Sequence, residues 1–145
     1  MGHKLIAVIG GNSIDKHFYD FSYHIGKLIA QHNCILICGG LSGVMEAAAK
    51  GAFENGGTTI GILPGFEKKD ANPYISIPIV TGISTARNSI IARTCDLAIA
   101  IDGKYGTLSE IAYCLDFGKT VLGFKTYNID RIIQIHKPED IIQYL

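Results

Sequence analysis

No run of this 145-residue chain approaches the roughly 20 consecutive apolar residues that span a bilayer. The apolar stretch inside the opening MGHKLIAVIGGNS is shorter than a signal-peptide core and leads directly into a turn. The expectation is a soluble cytoplasmic protein with no membrane partner. An excess of one charge is lacking too: 13 Lys and Arg offset 13 Asp and Glu, dispersed along the chain. No broad field attracts nucleic acid, so recognition of an anion must be local. Cys34, Cys38, Cys95 and Cys114 form no C-x-x-C pair and sit in or beside apolar segments, as buried reduced thiols do. His17 and His24 are spaced to share a helix face, but nothing nearby completes a ligand set and no metal site is expected. Two well-known phosphate fingerprints are missing. GGNSID lacks the third glycine of G-x-G-x-x-G, and no G-x-x-x-x-G-K-[ST] occurs, which argues against a dinucleotide redox enzyme and a P-loop NTPase.

What is present is alternation. Continuous apolar runs at 4–9, 34–38, 58–63, 77–80, 96–101 and 120–124 read as strands of a sheet covered on both faces. Between them, 16–31, 43–54, 86–94 and 108–117 return an apolar residue every three or four positions, the period of a crossover helix. A seventh, edge strand is expected at 131–135, and a terminal helix beginning at Pro138, followed by Glu139 and Asp140, through Tyr144. The fold class is therefore doubly wound α/β, a Rossmann-like parallel sheet of six or seven strands, in one nucleotide-binding domain over residues 1–145. With 48% hydrophobic residues the chain can bury one core of that size.

In such sheets, ligands gather outside the carboxyl ends of the strands, where helix amino termini present unpaired N–H groups. Three glycine-bearing turns fall there: Gly10, Gly11, Asn12 and Ser13 after the first strand; Gly39, Gly40, Leu41, Ser42 and Gly43 after the second; and Asp102, Gly103, Lys104, Tyr105, Gly106 and Thr107 after the fifth. Glycine admits positive φ and lets backbone approach a phosphate with no side chain between. The polar segment 64–74, opened by Pro64 and Gly65, is either an exposed connection or a lid at the same edge. Thr107 and Glu110 have the spacing of a capping box, yet the same placement lets the carboxylate face a substrate. Arg87, with Ser84 and Thr85 as an expected cap, stands at the start of the helix before the fifth strand. A cation there opposes the helix dipole, which suggests an anionic partner, either a ligand or Glu110.

CGGLSGVMEAAAKGA (38–52), TIGILPG (59–65), TARNSII (85–91) and GTLSEIA (106–112) resemble, in order and spacing, the Rossmann-type proteins once labelled lysine-decarboxylase-like. That family includes the Lonely Guy cytokinin-activating phosphoribohydrolases and the molybdenum-cofactor carrier proteins. Nearly the whole chain takes part, and the likeness is strongest to the short bacterial and archaeal branch related to the DNA-processing DprA/Smf fold. The resemblance implies catalytic roles for Arg87 and Glu110, a phosphate-cradling turn at Gly103, Gly106 and Thr107, and an earlier ligand turn at Gly39, Gly40 and Gly43. Asn88 lies in the same motif as Arg87. Where the phosphoribohydrolases carry Pro-Gly-Gly, this chain has Asp102, Gly103 and Lys104. A lysine in place of glycine is expected to hinder backbone approach to the ligand, and Asp102 adds a negative charge near an anion site. These replacements favour a carrier or sensor for a nucleotide or a phosphorylated pterin such as the molybdenum cofactor. The alternative is hydrolysis of a nucleoside 5′-monophosphate to free base and ribose 5-phosphate. No cofactor is required by either; the implied partner is a phosphorylated small molecule, and the family resemblance implies a homodimer or homotetramer.

Overall fold

The computed structural model describes residues 2–145. Seven strands form one sheet: β1 (Leu5–Gly10), β2 (Ile35–Cys38), β3 (Thr59–Leu63), β4 (Ile77–Val80), β5 (Leu97–Ile101), β6 (Thr120–Phe124) and β7 (Ile132–Gln134). Every pairing is parallel, in the order β4-β3-β2-β1-β5-β6-β7. The chain starts in the middle, winds outward to β4, crosses back to β5 beside β1, and winds outward again to β7. The direction of winding reverses between β1 and β5, the place where sheets of this kind hold their ligands.

Strand residues alternate between two cores. Ile6 and Val8 of β1 share one face with Leu36, Ile99 and Ile101, covered by α1 (Lys16–Gln31) through Phe21, Ile25 and Ile29, and by α2 (Val44–Glu54) through Val44 and Ala48. Ala7 and Ile9 share the other with Ile37, Ala98 and Ala100, covered by α3 (Arg87–Thr94) through Ile91 and by α4 (Tyr105–Asp116) through Ile111 and Cys114. Asp15 caps α1, its carboxylate accepting from the Phe18 N–H at 3.0 Å. Edge strand β4 is the least covered. Ile77, Ile79 and Val80 remain exposed there, and Pro78 lies within the strand. All four cysteines are free and buried, and no helix of the described residues is long and apolar enough to cross a membrane.

The expected terminal helix is present over Pro138–Tyr144, as a 3-10 helix. One expected element differs in a way that matters: α4 begins at Tyr105, three residues before the expected 108, with Lys104 as a cap that contributes no side-chain hydrogen bond.

α1 and α2 meet backbone to backbone. A Cβ added to Gly26 would sit 1.8 Å from the Ala48 carbonyl oxygen, and one on Gly51 would sit 1.9 Å from that of Tyr23. Neither carbonyl can move without unwinding its helix. Gly26→Ala is accordingly expected to lower stability by about 1–3 kcal/mol, the usual cost of overpacking, read as a lower urea midpoint; an unshifted midpoint would show that the helices separate freely.

Candidate functional site

The glycine turns do converge. The Val44 N–H donates to the Gly11 carbonyl at 2.9 Å and the Ser42 hydroxyl to the Asn12 carbonyl at 2.9 Å, so the turns after β1 and β2 are bonded to each other. Gly43 takes φ +72°, and a Cβ on it would lie 2.2 Å from the Gly11 oxygen. On the other flank, a Cβ on Gly11 would lie 3.3 Å from Asp102 Oδ2 and 3.7 Å from the Gly103 nitrogen. Gly10, Gly11, Asn12, Gly43, Asp102 and Gly103 thus form one continuous rim at the carboxyl ends of β2, β1 and β5. Ser13 is exposed beside it.

The early start of α4 changes the chemistry of its turn. Tyr105, Gly106 and Thr107 occupy the first three helical positions, where N–H groups have no intrahelical acceptor, and no side chain caps them. The capping box expected from Thr107 and Glu110 therefore does not form. Thr107 instead packs on Gly103, whose φ of +111° and missing Cβ make room for it. A Cβ on Gly106 would meet nothing within 4 Å, so the side of the helix is open at that residue, whereas Thr107 is buried. Lys104 adopts φ −124° and ψ −143°, outside the left-handed region that calls for glycine, and is exposed. Asp102 supplies the tight bend with φ +53°, a region aspartate tolerates better than most residues. Its N–H donates to the Phe124 carbonyl at 3.1 Å, and its own carbonyl accepts from the Thr126 hydroxyl at 2.7 Å.

Arg87 is not a surface cation. Ser84 to Ala86 form a 3-10 turn without a side-chain cap, Ser84 having φ +56°, and the turn delivers the Arg87 side chain across the ends of β3 and β2. There it is only 7% exposed. Nε donates to the Ile62 carbonyl at 2.8 Å, Nη2 to that of Gly39 at 3.4 Å, and Nη1 to Asn88 Oδ1. Asn88 Nδ2 donates in turn to Ser109 Oγ at 3.1 Å, which donates to the Gly106 carbonyl at 2.7 Å. One chain of hydrogen bonds ties the guanidinium to the first turn of α4. Gly39 is needed for it, since a Cβ there would fall 2.5 Å from Nη2.

Glu110 is 8% exposed on the inner side of α4. The ion pairs of the described residues are Lys16–Asp20 and Lys69–Glu67, with His24 beside Glu139 at 3.5 Å, and Glu110 belongs to none of these contacts. The field of Arg87 reaches it and favours its charged form, but desolvation outweighs that attraction and pushes the carboxyl up to about 8. Burial likewise lowers the Arg87 guanidinium, against the pull of Glu110, and raises the Cys38 thiol to about 12, leaving it inert.

The segment 64–74 is built into the rim instead of lying loose over it. Asn72, read from sequence only as part of a polar connection, is buried: its N–H donates to the Gly40 carbonyl at 2.9 Å and its Nδ2 to that of Leu41 at 2.8 Å. Gly40, at φ +79°, packs on Leu63. Pro64 and Gly65 accept from the N–H groups of Ser84 and Gly82 at 3.0 and 2.9 Å. Asn72 and Ser109 are the positioning residues that sequence reasoning missed; no motif marks Asn72, and Ser109 lies unremarked within GTLSEIA (106–112). Two surface depressions lie away from the glycine turns, one on α1 between Asp20, Tyr23, His24 and Lys27, the other near His3, Asn33 and Gly57. Among the described residues, no group of three or more His, Cys, Asp or Glu comes together to hold a metal.

A doubly wound sheet with glycine turns joined at its topological reversal defines a Rossmann-like α/β protein. The chain belongs to the SLOG cluster4 family, which it matches over residues 3–144. A relative from Archaeoglobus fulgidus, described as an uncharacterized protein, is 43% identical over 141 residues, covering 96% of this chain and 92% of that one. The solved structure of a molybdenum cofactor binding protein from the phototrophic bacterium Rippkaea orientalis superposes with a TM-score of 0.93 at 32% identity, covering 99% of this chain and 96% of the other. A rice protein named a probable cytokinin riboside 5′-monophosphate phosphoribohydrolase is 29% identical over 113 residues, 74% of this chain but only 50% of its own length.

The raised Glu110 yields a pH signature. Its carboxyl ionises near 4.5 when unfolded and near 8 in the fold, so within that window the folded chain holds the extra proton and stability falls as pH rises. Glu110→Gln is expected to flatten the urea midpoint against pH between about 5 and 8 and to raise it near pH 9. A slope identical to that of the parent would mean that Glu110 is already ionised at neutral pH.

Proposed function

We propose that this protein is a binding protein, a carrier or sensor, for a nucleotide or a phosphorylated pterin such as the molybdenum cofactor. The observation that carries the reading is the pairing of uncapped amides with a neutral carboxyl. The N–H groups of Tyr105, Gly106 and Thr107 have no side-chain cap and suit the oxygens of a phosphate monoester. Arg87 spends three N–H donors on Ile62, Asn88 and Gly39 and keeps two of its five for an incoming anion. Exposed Lys104 adds a cation at the mouth. Glu110, meanwhile, carries a proton at neutral pH, and a phosphate nearby would hold that proton more firmly. It then supplies no negative charge to steady an oxocarbenium-like sugar, the electrostatic help that glycosidic cleavage needs. The same neutrality suits a site that keeps its ligand whole. The Rippkaea orientalis protein, molybdenum-cofactor binding by name, supports this reading at nearly full coverage.

Hydrolysis of a nucleoside 5′-monophosphate is the second reading. It is favoured by the rice relative and by a buried, protonated Glu110 within the field of Arg87, which could donate its proton to a departing base. In either case the exposed Ile77, Ile79 and Val80 along β4 support assembly into a homodimer or homotetramer.

Incubation with AMP, GMP, CMP, IMP and UMP separates the two readings. The expected outcome is a melting temperature that rises with at least one monophosphate, with no free base detected by chromatography. Release of base together with ribose 5-phosphate, lost in Glu110→Gln, would assign hydrolysis instead.

A further inference from the structure

We infer that two copies of this chain join through a step-shaped surface between β4 and α3, the α3 flank of each copy resting on the β4 strand of the other. The inference rests on the reading of the protein as a homo-oligomer and names the surface that joins the copies.

The step follows from how few helices serve one face of the sheet. A helix is about 10 Å across and strands lie about 4.8 Å apart, so one helix covers about two strands. On the face that holds Ile9 and Ile37, α3 packs on β3 and β1, and α4 on β1, β5 and β6. β4, at the margin, is left over. Ile77 and Ile79 stand in register with Ile60 and Ile62 of β3. Ile62 belongs to that core and Ile60 packs against it, so Ile77 and Ile79 point to the same face. They are 45% and 43% exposed. α3 rises beside them as the wall of the step. Its Asn88 flank faces α4, bonded through Ser109, whereas its Arg87 flank reaches toward β3, donating to the Ile62 carbonyl. Ile90, three positions beyond Arg87, shares that flank and is 37% exposed. Ile83, 46% exposed, lies in the turn between β4 and α3.

Charge and shape select a second copy as the occupant. Between Asp70 and Arg93 the only charged side chain is Arg87, which is buried, although 18% of the chain is charged. Depletion of charge marks the centre of a protein interface, and it removes the field that would draw nucleic acid or an anionic membrane. An uncharged surface meets its own copy with no like charges opposed. The shape is self-complementary as well: in a two-fold arrangement the wall of one copy seats on the β4 floor of the other, and the same contact repeats across the axis. Ile77, Ile79, Ile83 and Ile90 together expose roughly 300 Å², the size of patch that marks an interaction site. Exposed Ser84, Thr85 and Ala86 border them without charge. An apolar centre of that size with a neutral border fits the about 800 Å² per copy that a stable dimer buries. Assembly then bears on the helix that holds the guanidinium at Gly39.

Sedimentation of the full chain tests this with a pair of opposite charges. The parent is expected to sediment as a dimer or tetramer, and Ile79→Lys and Ile90→Glu, taken singly, at half its mass. An equimolar mixture of the two should regain the parent mass. At one contact the introduced ammonium meets the introduced carboxylate, and at the other isoleucine still meets isoleucine. Ile133→Lys, on the opposite edge strand β7 and 40% exposed, is the control and should leave the mass unchanged. Ile77→Lys, on the same face of β4, takes the place of Ile79→Lys should that variant lose its cooperative melt. A monomeric parent would end the homo-oligomer reading and this inference together. An oligomeric parent whose mass survives both substitutions, or whose half-mass variants stay apart on mixing, would overturn this surface alone and leave assembly through another.

Discussion

Three stretches of backbone touch at the carboxyl edge of the sheet with no side chain between them. A Cβ on Gly10 would come within 2.3 Å of the Ile101 carbonyl oxygen, and one on Gly43 within 2.2 Å of that of Gly11. Because those atoms are missing, the turns after β1, β2 and β5 close into one surface whose shape is set by main chain. Main-chain geometry is held by the sheet itself, so the N–H groups that face outward are placed by the most rigid part of the molecule. A larger residue at Gly10 or Gly43 would not merely crowd a loop; it would prise apart the two halves of the doubly wound fold at their junction.

The charged groups behind this rim are treated unequally. Arg87 is buried but well supplied with acceptors, and through Asn88 and Ser109 its position is transmitted to the first turn of α4. Glu110 is buried with no ion-pair partner and stays protonated. The pair is therefore one fixed cation beside one neutral acid instead of a salt bridge, and the net positive field it leaves is what an anionic guest would encounter. Had the two formed a close ion pair, that field would have cancelled and Arg87 would have been spent.

The sheet and its order of helices were legible because parallel strands covered on both faces read as unbroken apolar runs, with LAIAI at 97–101 as the plainest case. The glycine turns were legible as well, and Arg87 was conspicuous because a cation at a helix start needs a reason. The first turn of α4 was misread for a physical cause: Lys104, Tyr105 and Gly106 carry none of the usual capping or apolar signals, so the pattern begins to look helical only at Leu108. The bare start that hid the helix is also what leaves its first amides without a side-chain cap. Asn72 escaped because its burial depends on a return of the chain that no local spacing encodes, and Ser109 because a serine in an amphipathic helix ordinarily faces water.

Edge strand β4 bears on how the molecule behaves in a crowded solution. Its exposed isoleucines lie along an outer margin that would otherwise invite a foreign strand to add itself to the sheet, as in fibril growth. Pro78 has no N–H and sits in the middle of that margin, so a would-be eighth strand meets an interrupted row of donors. The side chains can still join two folded copies, whereas runaway extension of the sheet from this side is blocked.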